Sequence, residues 1–239
     1  MADVAHIIPR SPDDPPRRRS PVRPWHAAVA LAMVAAVSGG LWAWKPWQSV
    51  ELPEHTCWGV LGRSDLKPLA GPDGKATEPK PSRRIATPAS PGPLGTGDLD
   101  YRCYVSWGSG TTLLDVDVRP PKDGIDNYRQ SDAVLGQVAP LDFGSGATGW
   151  VLDNRNTPGG AVVRLYVPCD YEAPKGGSGQ AAPSYLSVRV TGDVVHGASP
   201  AKAHQAYADI ALKVGRAAVT AYECRNTVTL PSTAPRVVS

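Results

Sequence analysis

The sequence predicts an α+β domain: an antiparallel sheet with a long C-terminal helix, tied by two disulfides and preceded by one transmembrane helix. Three observations carry this. An uncharged apolar run occupies residues 27–44. All four cysteines (Cys57, Cys103, Cys169, Cys224) lie beyond that run. Several short stretches after it alternate apolar and polar residues, and one long stretch near the end repeats with helical period.

In chain order, the first 24 residues are Pro-rich and carry Arg10, Arg17, Arg18, Arg19 and Arg23 against Asp3, Asp13 and Asp14. Such a segment buries no core and is expected to be a disordered cytoplasmic tail. The run at 27–44 would span about 27 Å as a helix, close to the hydrocarbon thickness of a bilayer. Trp25 stands before it, and Trp42, Trp44 and Trp47 at its far end suit the second headgroup region. The arginines precede it and only Lys45 follows closely, so the positive-inside rule puts the N-terminus in the cytoplasm. Residues 25–47 are expected to be a single-pass anchor. Cleavage as a signal peptide is the rival, near Ser38, Gly39 and Gly40, but the apolar run continues past them.

Residues 50–230 are then expected outside the membrane, where an even cysteine count reads as disulfides. Four cysteines allow three connectivities, and the layout favours Cys57–Cys103 and Cys169–Cys224. Thr56 is placed to cap a short helix running from Cys57 toward Leu69. Residues 71–98 are rich in Pro, Gly and small polar groups and are expected to be a flexible loop. Leu99, Tyr101, Cys103, Val105 and Trp107 alternate, and so do Thr112, Leu114, Val116 and Val118. With the turn at Gly108-Ser109-Gly110 between them they read as a β-hairpin. A short helix is expected near 124–132 and strands near 134–138 and 148–152.

Ala161, Val163, Leu165 and Val167 alternate up to Cys169, and Leu186, Val188 and Val190 mark a further strand. Ser199-Pro200 opens the clearest element, Ser as N-cap and Pro at the first helical position. Its stripe runs Ala203, Tyr207, Ile210, Val214, Ala217, Ala221, Cys224, alternately four and three residues apart. Each bridge would join a helix to a strand and close a loop of roughly 50 residues, worth about 2–4 kcal/mol. The cysteine-bearing halves admit a reading as two related units. Residues 231–239 are expected to be a disordered tail.

The sequence excludes more chemistry than it assigns. Beyond the N-terminal tail the charges nearly balance, so no basic surplus points to nucleic acid. The Gly-Ser-Gly triplets lack G-x-S-x-G spacing and no phosphate-binding loop occurs. His55, His196 and His204 are not at metal-ligand spacing, and no C-x2-C pair exists. Asp115 and Asp117 share one face of a strand like paired carboxylates, but fit the solvent face of a hairpin. Asp123, Asp126 and Asn127 lack calcium-loop spacing and fit an acidic helix start. Trp58, Trp107 and Trp150 read as core. No cofactor and no catalytic residue is expected.

The run Cys57-Trp58-Gly59-Val60-Leu61, then Tyr101-Arg102-Cys103-Tyr104-Val105, then Leu165-Tyr166-Val167-Pro168-Cys169, and the Ala-rich helix before Cys224 resemble one group of proteins. These are actinobacterial membrane-anchored or secreted proteins with a four-cysteine extracytoplasmic domain and no settled activity. The resemblance implies topology and disulfides and carries over no catalytic residue. The expected function is a non-catalytic binding or accessory module at the cell envelope, meeting an envelope protein or a wall polymer. The alternatives are a scaffolding subunit of a membrane complex and an envelope hydrolase built from His55, His196 or His204 with Ser or Asp.

Overall fold

A computed structural model describes residues 24–44, 49–81, 84–85, 87, 101–108, 110–144, 146–154, 160–171 and 184–238. The expected cytoplasmic tail, residues 88–98 of the expected loop, and the Gly/Ser/Pro segment at 172–183 lie outside these. The chain divides into two compact units, Met1–Trp47 and Gln48–Ser239.

In the first unit, α1 (Pro24–Trp44) carries no acidic residue in its first turn and no basic residue in its last. Its described side chains, Trp25, Val29, Leu31, Met33, Val34 and Val37 among them, are exposed. Among the described residues, no helix is long and apolar enough to cross a membrane.

The second unit runs β1 (Val50–Glu51), β2 (His55–Thr56), β3 (Leu61–Gly62), α2 (Arg63–Leu66), β4 (Gly74–Thr77), β5 (Arg102–Trp107), β6 (Thr111–Arg119), α3 (Ile125–Leu135), β7 (Gly136–Leu141), β8 (Thr148–Asn154), β9 (Ala161–Pro168), β10 (Tyr185–Gly192) and α4 (Pro200–Ala221). Eight strands form one sheet in the order β1-β4-β5-β6-β10-β9-β8-β7, and β2 pairs with β3 apart from it. Every pairing in the large sheet is antiparallel except β1 with β4. The expected α+β class with a C-terminal helix and two disulfides is the observed one.

The core lies between α4 and one face of the sheet. Val163, Leu165 and Val167 on β9 stand opposite Val190, Val188 and Leu186 on β10, and all six are buried. Gly215 of α4 comes so close to Leu165 that a Cβ there would sit 2.9 Å from its Cδ2. The buried face of α4 is broader than a single stripe. Ala206, Ala208, Ala211, Leu212 and Ala218 join Ala203, Tyr207, Ile210 and Val214, while Ala221 at the helix end is exposed.

Both disulfides join the cysteines the layout favoured: Cys57–Cys103 with Cα atoms 5.2 Å apart, and Cys169–Cys224 at 4.9 Å. The first does not tie a helix to a strand. The helix expected from Cys57 to Leu69 is replaced by a turn at 57–60, the small β2–β3 pair and a four-residue α2. Cys57 and Trp58 both take positive φ, 48° and 63°, which no helix accepts. Thr56 is diverted as well: its hydroxyl donates to Glu78 Oε2 at 2.5 Å, and the same oxygen accepts from the Cys57 N–H at 3.1 Å.

Three further expectations change. Residues 74–77 of the expected loop form β4, an inner strand held on both sides, and Ile85 is buried. Gly74 (φ 126°) is required there, because the Trp107 ring occupies the space of a Cβ. Residues 231–238 are not a loose tail: the Val237 N–H donates to Gln205 Oε1 and Gln205 Nε2 donates to the Pro235 carbonyl, while Leu230, Ala234 and Val237 pack against the core. The halves do not repeat in chain order. The cysteine partner precedes strand β5 in one and follows strand β9 in the other.

Candidate ligand-binding face

The strands that send alternate residues to α4 send the others to the opposite face. There the register sets Arg102 of β5, Asp117 of β6, Arg189 of β10, Arg164 of β9 and Trp150 of β8 in one row across five strands. Neighbouring rows add Tyr104, Asp115 and Thr191 on one side and Arg119, Ser187 and Tyr166 on the other.

At one end of this row α3 covers the sheet. Asp132 of α3 is buried and accepts three hydrogen bonds: from Trp150 Nε1 at 2.7 Å, Arg164 Nε at 2.6 Å and Arg164 Nη2 at 3.0 Å. Trp150 stacks on Tyr166 with centroids 5.1 Å apart, and Arg164 Cζ lies 5.5 Å from the Tyr128 ring centre. Burial by itself would lower the Arg164 pKa, but the hydrogen bonds and charge of Asp132 raise it overall. Burial pushes the Tyr166 phenol up to about 12; its hydroxyl lies beside Ser187 without a well-formed hydrogen bond.

At the other end Arg102 grips Asp115 in two parallel hydrogen bonds, Nε to Oδ1 at 2.7 Å and Nη2 to Oδ2 at 2.6 Å. This bidentate geometry is the strong form of the contact. Arg119 Nε stands 2.8 Å from Asp117 Oδ1. Asp115 and Asp117 share a face as expected, but that face is not the open solvent side of a hairpin. The Asp115 side chain is 7% exposed and that of Asp117 14%. Burial raises the Asp117 pKa, with Arg119 and Arg189 pulling against it.

Between the two ends stands Arg189. It is half-buried and, among the described residues, makes no hydrogen bond or ion pair of its own. Burial lowers its pKa and the facing Arg164 lowers it further, while Asp115 and Asp117 pull the other way. A cavity of about 160 Å³ opens beside this row, lined by Thr112, Asp115, Gly160, Ala161, Thr191 and Asp193.

Compared with protein-family models, with curated proteins and with solved structures, the chain matches none. The remaining candidates are read from the geometry alone. His55 sits exposed on β2, His196 exposed in the turn before α4, and His204 on the buried face of α4. Asp126 lies in the first turn of α3 and is exposed, as are Asp123 and Asn127. Among the described residues, no three His, Cys, Asp or Glu side chains come together as a metal site. Trp58, Trp107 and Trp150 are all buried.

Sequence reasoning did not single out Arg102, Asp132, Arg164, Arg189 or Glu78. Four of these are single polar residues in otherwise ordinary amphipathic elements, and Glu78 falls in the segment read as loop. The alternation puts Arg102, Arg164 and Arg189 on the non-core face of their strands, and that much is readable. Their meeting in one row depends on long-range register.

Proposed function

We propose that the chain is a single-pass membrane protein, N-terminus in the cytoplasm, whose second unit is an extracytoplasmic binding or accessory module without catalytic chemistry. The partner class is an envelope protein or a wall polymer. One observation carries the binding reading: a structured, partly buried row of charges across the sheet face, Arg102, Asp117, Arg189 and Arg164, set side by side by the strand register. Charged groups held in fixed positions on a partly buried face are the kind that binding sites use.

Two facts support the compartment and the anchor. Both disulfides bind the outer unit, and disulfides persist where the surroundings are oxidising. The uncharged run at 27–44, with arginines before it, supports the anchor. The disulfide-tied unit and the alternation of its strands also fit the resemblance to actinobacterial envelope proteins.

Protease added to intact cells tests the topology. With tags at both ends, the reading predicts loss of the C-terminal tag and protection of the N-terminal one. Protection of both tags in intact cells, with loss of both after lysis, overturns it.

A further inference from the structure

We propose that the groove along α4 occupied by residues 227–238 is a docking site for an extended apolar peptide segment of another protein, and that these residues are its displaceable occupant. The groove lies on the α4 side of the sheet and uses no residue of the charged face.

The first argument is how the segment is held. Its base is fixed firmly. Cys224 is joined to Cys169, and the Arg225 N–H donates to the Asp170 carbonyl at 2.8 Å. Asn226 accepts from the Asp170 N–H at 2.6 Å and donates to the Pro168 carbonyl at 3.2 Å. Beyond that clamp the attachment is light. Residues 227–238 belong to no helix or strand. Among the described residues, no backbone N–H from Thr227 to Arg236 donates a hydrogen bond, and Pro231 and Pro235 have none to give. Val228, Leu230, Ala234 and Val237 reach the core but are only partly buried. A segment with few hydrogen bonds and shallow burial opens at low cost while the rest of the fold stays closed.

The second argument is Gln205. Its side-chain amide accepts from the Val237 N–H at 3.0 Å and donates to the Pro235 carbonyl at 3.2 Å. A carbonyl and the N–H two residues on are what an extended chain offers along one edge to a neighbouring strand. Gln205 stands in for that strand. It reads main chain and does not sense side-chain identity, so another extended segment meets the same two bonds. In recognition of this kind the main-chain bonds give affinity and the side-chain pockets give selectivity.

The third argument is fit. A groove of about 260 Å³ lies open between α4 and the segment, lined by Arg216, Val219 and Thr220 on one side and by Val228 and Leu230 on the other. A segment packed as a protein interior is packed would leave no such space. A side chain larger than Val228 fills it. The favoured partner is therefore an extended apolar segment with leucine, or a similar bulky side chain, where this chain has Val228.

The test measures binding of labelled synthetic peptides to the full chain in detergent by fluorescence anisotropy. The probes are residues 227–238 as they stand and the same peptide with Val228→Leu. The Val228→Leu peptide should bind saturably, and more tightly than the parent peptide. A chain ending at Asn226 should bind it at least about tenfold more tightly than the full chain, because nothing competes for the groove. Gln205→Ala in that shortened chain should weaken binding about tenfold, the loss of two hydrogen bonds. A folded shortened chain that binds neither peptide overturns the proposal. So does a parent peptide that binds as tightly as its Val228→Leu form, since the groove would then be made for its own segment. Dimers of the full chain that form by exchanging residues 227–238 overturn it too, by assigning the groove to a second copy. If the shortened chain does not fold, hydrogen exchange in the full chain decides. The Val237 N–H should exchange at least about a hundredfold faster than the α4 amides of Ile210 and Leu212. Exchange at their rate would show that the segment leaves only when the whole unit unfolds, and overturns the proposal. None of these failures alters the protease test of topology.

Discussion

The two faces of the eight-stranded sheet are made by the same strands and the same alternation, yet they are held by different forces. The face under α4 is apolar throughout: Val116, Val118, Val163, Leu165, Val167, Leu186, Val188 and Val190 are at most 1% exposed. Burial of such side chains is non-directional and adds up, at about 1.5–3 kcal/mol each. The other face is a lattice of charges in which, among the described residues, Arg102, Arg119 and Arg164 each have an ion pair and Arg189 has none. Its contacts are directional, and each depends on a named partner. The first face can lose a methyl group and remain a core. The second fails one partner at a time, and that asymmetry can be tested.

The largest effect belongs to the apolar face. Leu165→Ala opens a cavity under Gly215 and should cost about 4 kcal/mol. Urea unfolding of the second unit in the full chain would show it as a lower midpoint with unchanged slope. A loss below about 1 kcal/mol would mean that α4 is not seated on β9 as described.

Asp132→Ala comes next. It leaves Arg164 without its carboxylate and Trp150 Nε1 without an acceptor. The expected loss is about 3 kcal/mol, at the low end for a broken buried pair because Arg164 keeps some water. The loss should exceed that of Asp117→Ala, whose partner Arg119 is half exposed. The reverse order would break the claim that the α3 end of the lattice is its structural part.

A smaller effect separates the faces by pH. Tyr166 holds its proton to about 12 because of burial, and Tyr207 and Tyr222 are pushed higher still. An unfolded tyrosine loses its proton near pH ~10. Their contribution to stability is therefore intact below about pH 10 and is lost as pH rises toward 12 and beyond, since the unfolded chain is the form that releases protons. Absorbance titration at fixed temperature should show a group of tyrosines ionising only as the chain unfolds. Eight phenols titrating together near pH ~10 while the fold persists would contradict the burial of these rings.

How much of this was legible follows the same division. Period-two alternation marked β5, β6, β9 and β10, and helical period marked α4, because burial on the core face leaves its imprint on every second or every third-to-fourth residue. The layout of the four cysteines led to their pairing. The Cys57 turn was not legible as a turn, because its left-handed residues are Cys and Trp instead of Gly or Asn, and are held by a carboxylate 21 residues on. β4 was hidden because only Ala76 of its residues is buried. The charged row was illegible for another reason. Each of Arg102, Arg164 and Arg189 looks like an ordinary exposed residue until the register of four strands sets them side by side. Gly136 begins β7 where the Asp153 carbonyl fills the space a Cβ would need.

The central claim is that the charged face is held by its ion pairs, Arg102 with Asp115, Arg119 with Asp117 and Arg164 with Asp132, and not by Arg189. The measurement that addresses it most directly is the melting temperature of full-length Arg189→Gln beside the unsubstituted chain. Removing a half-buried cation that faces Arg164 relieves repulsion and desolvation, which outweigh the attraction of Asp115 and Asp117, so an equal or higher melting temperature is predicted. A fall of several degrees would contradict it, because it would show that Asp117 and Arg189 form a pair on which the fold depends.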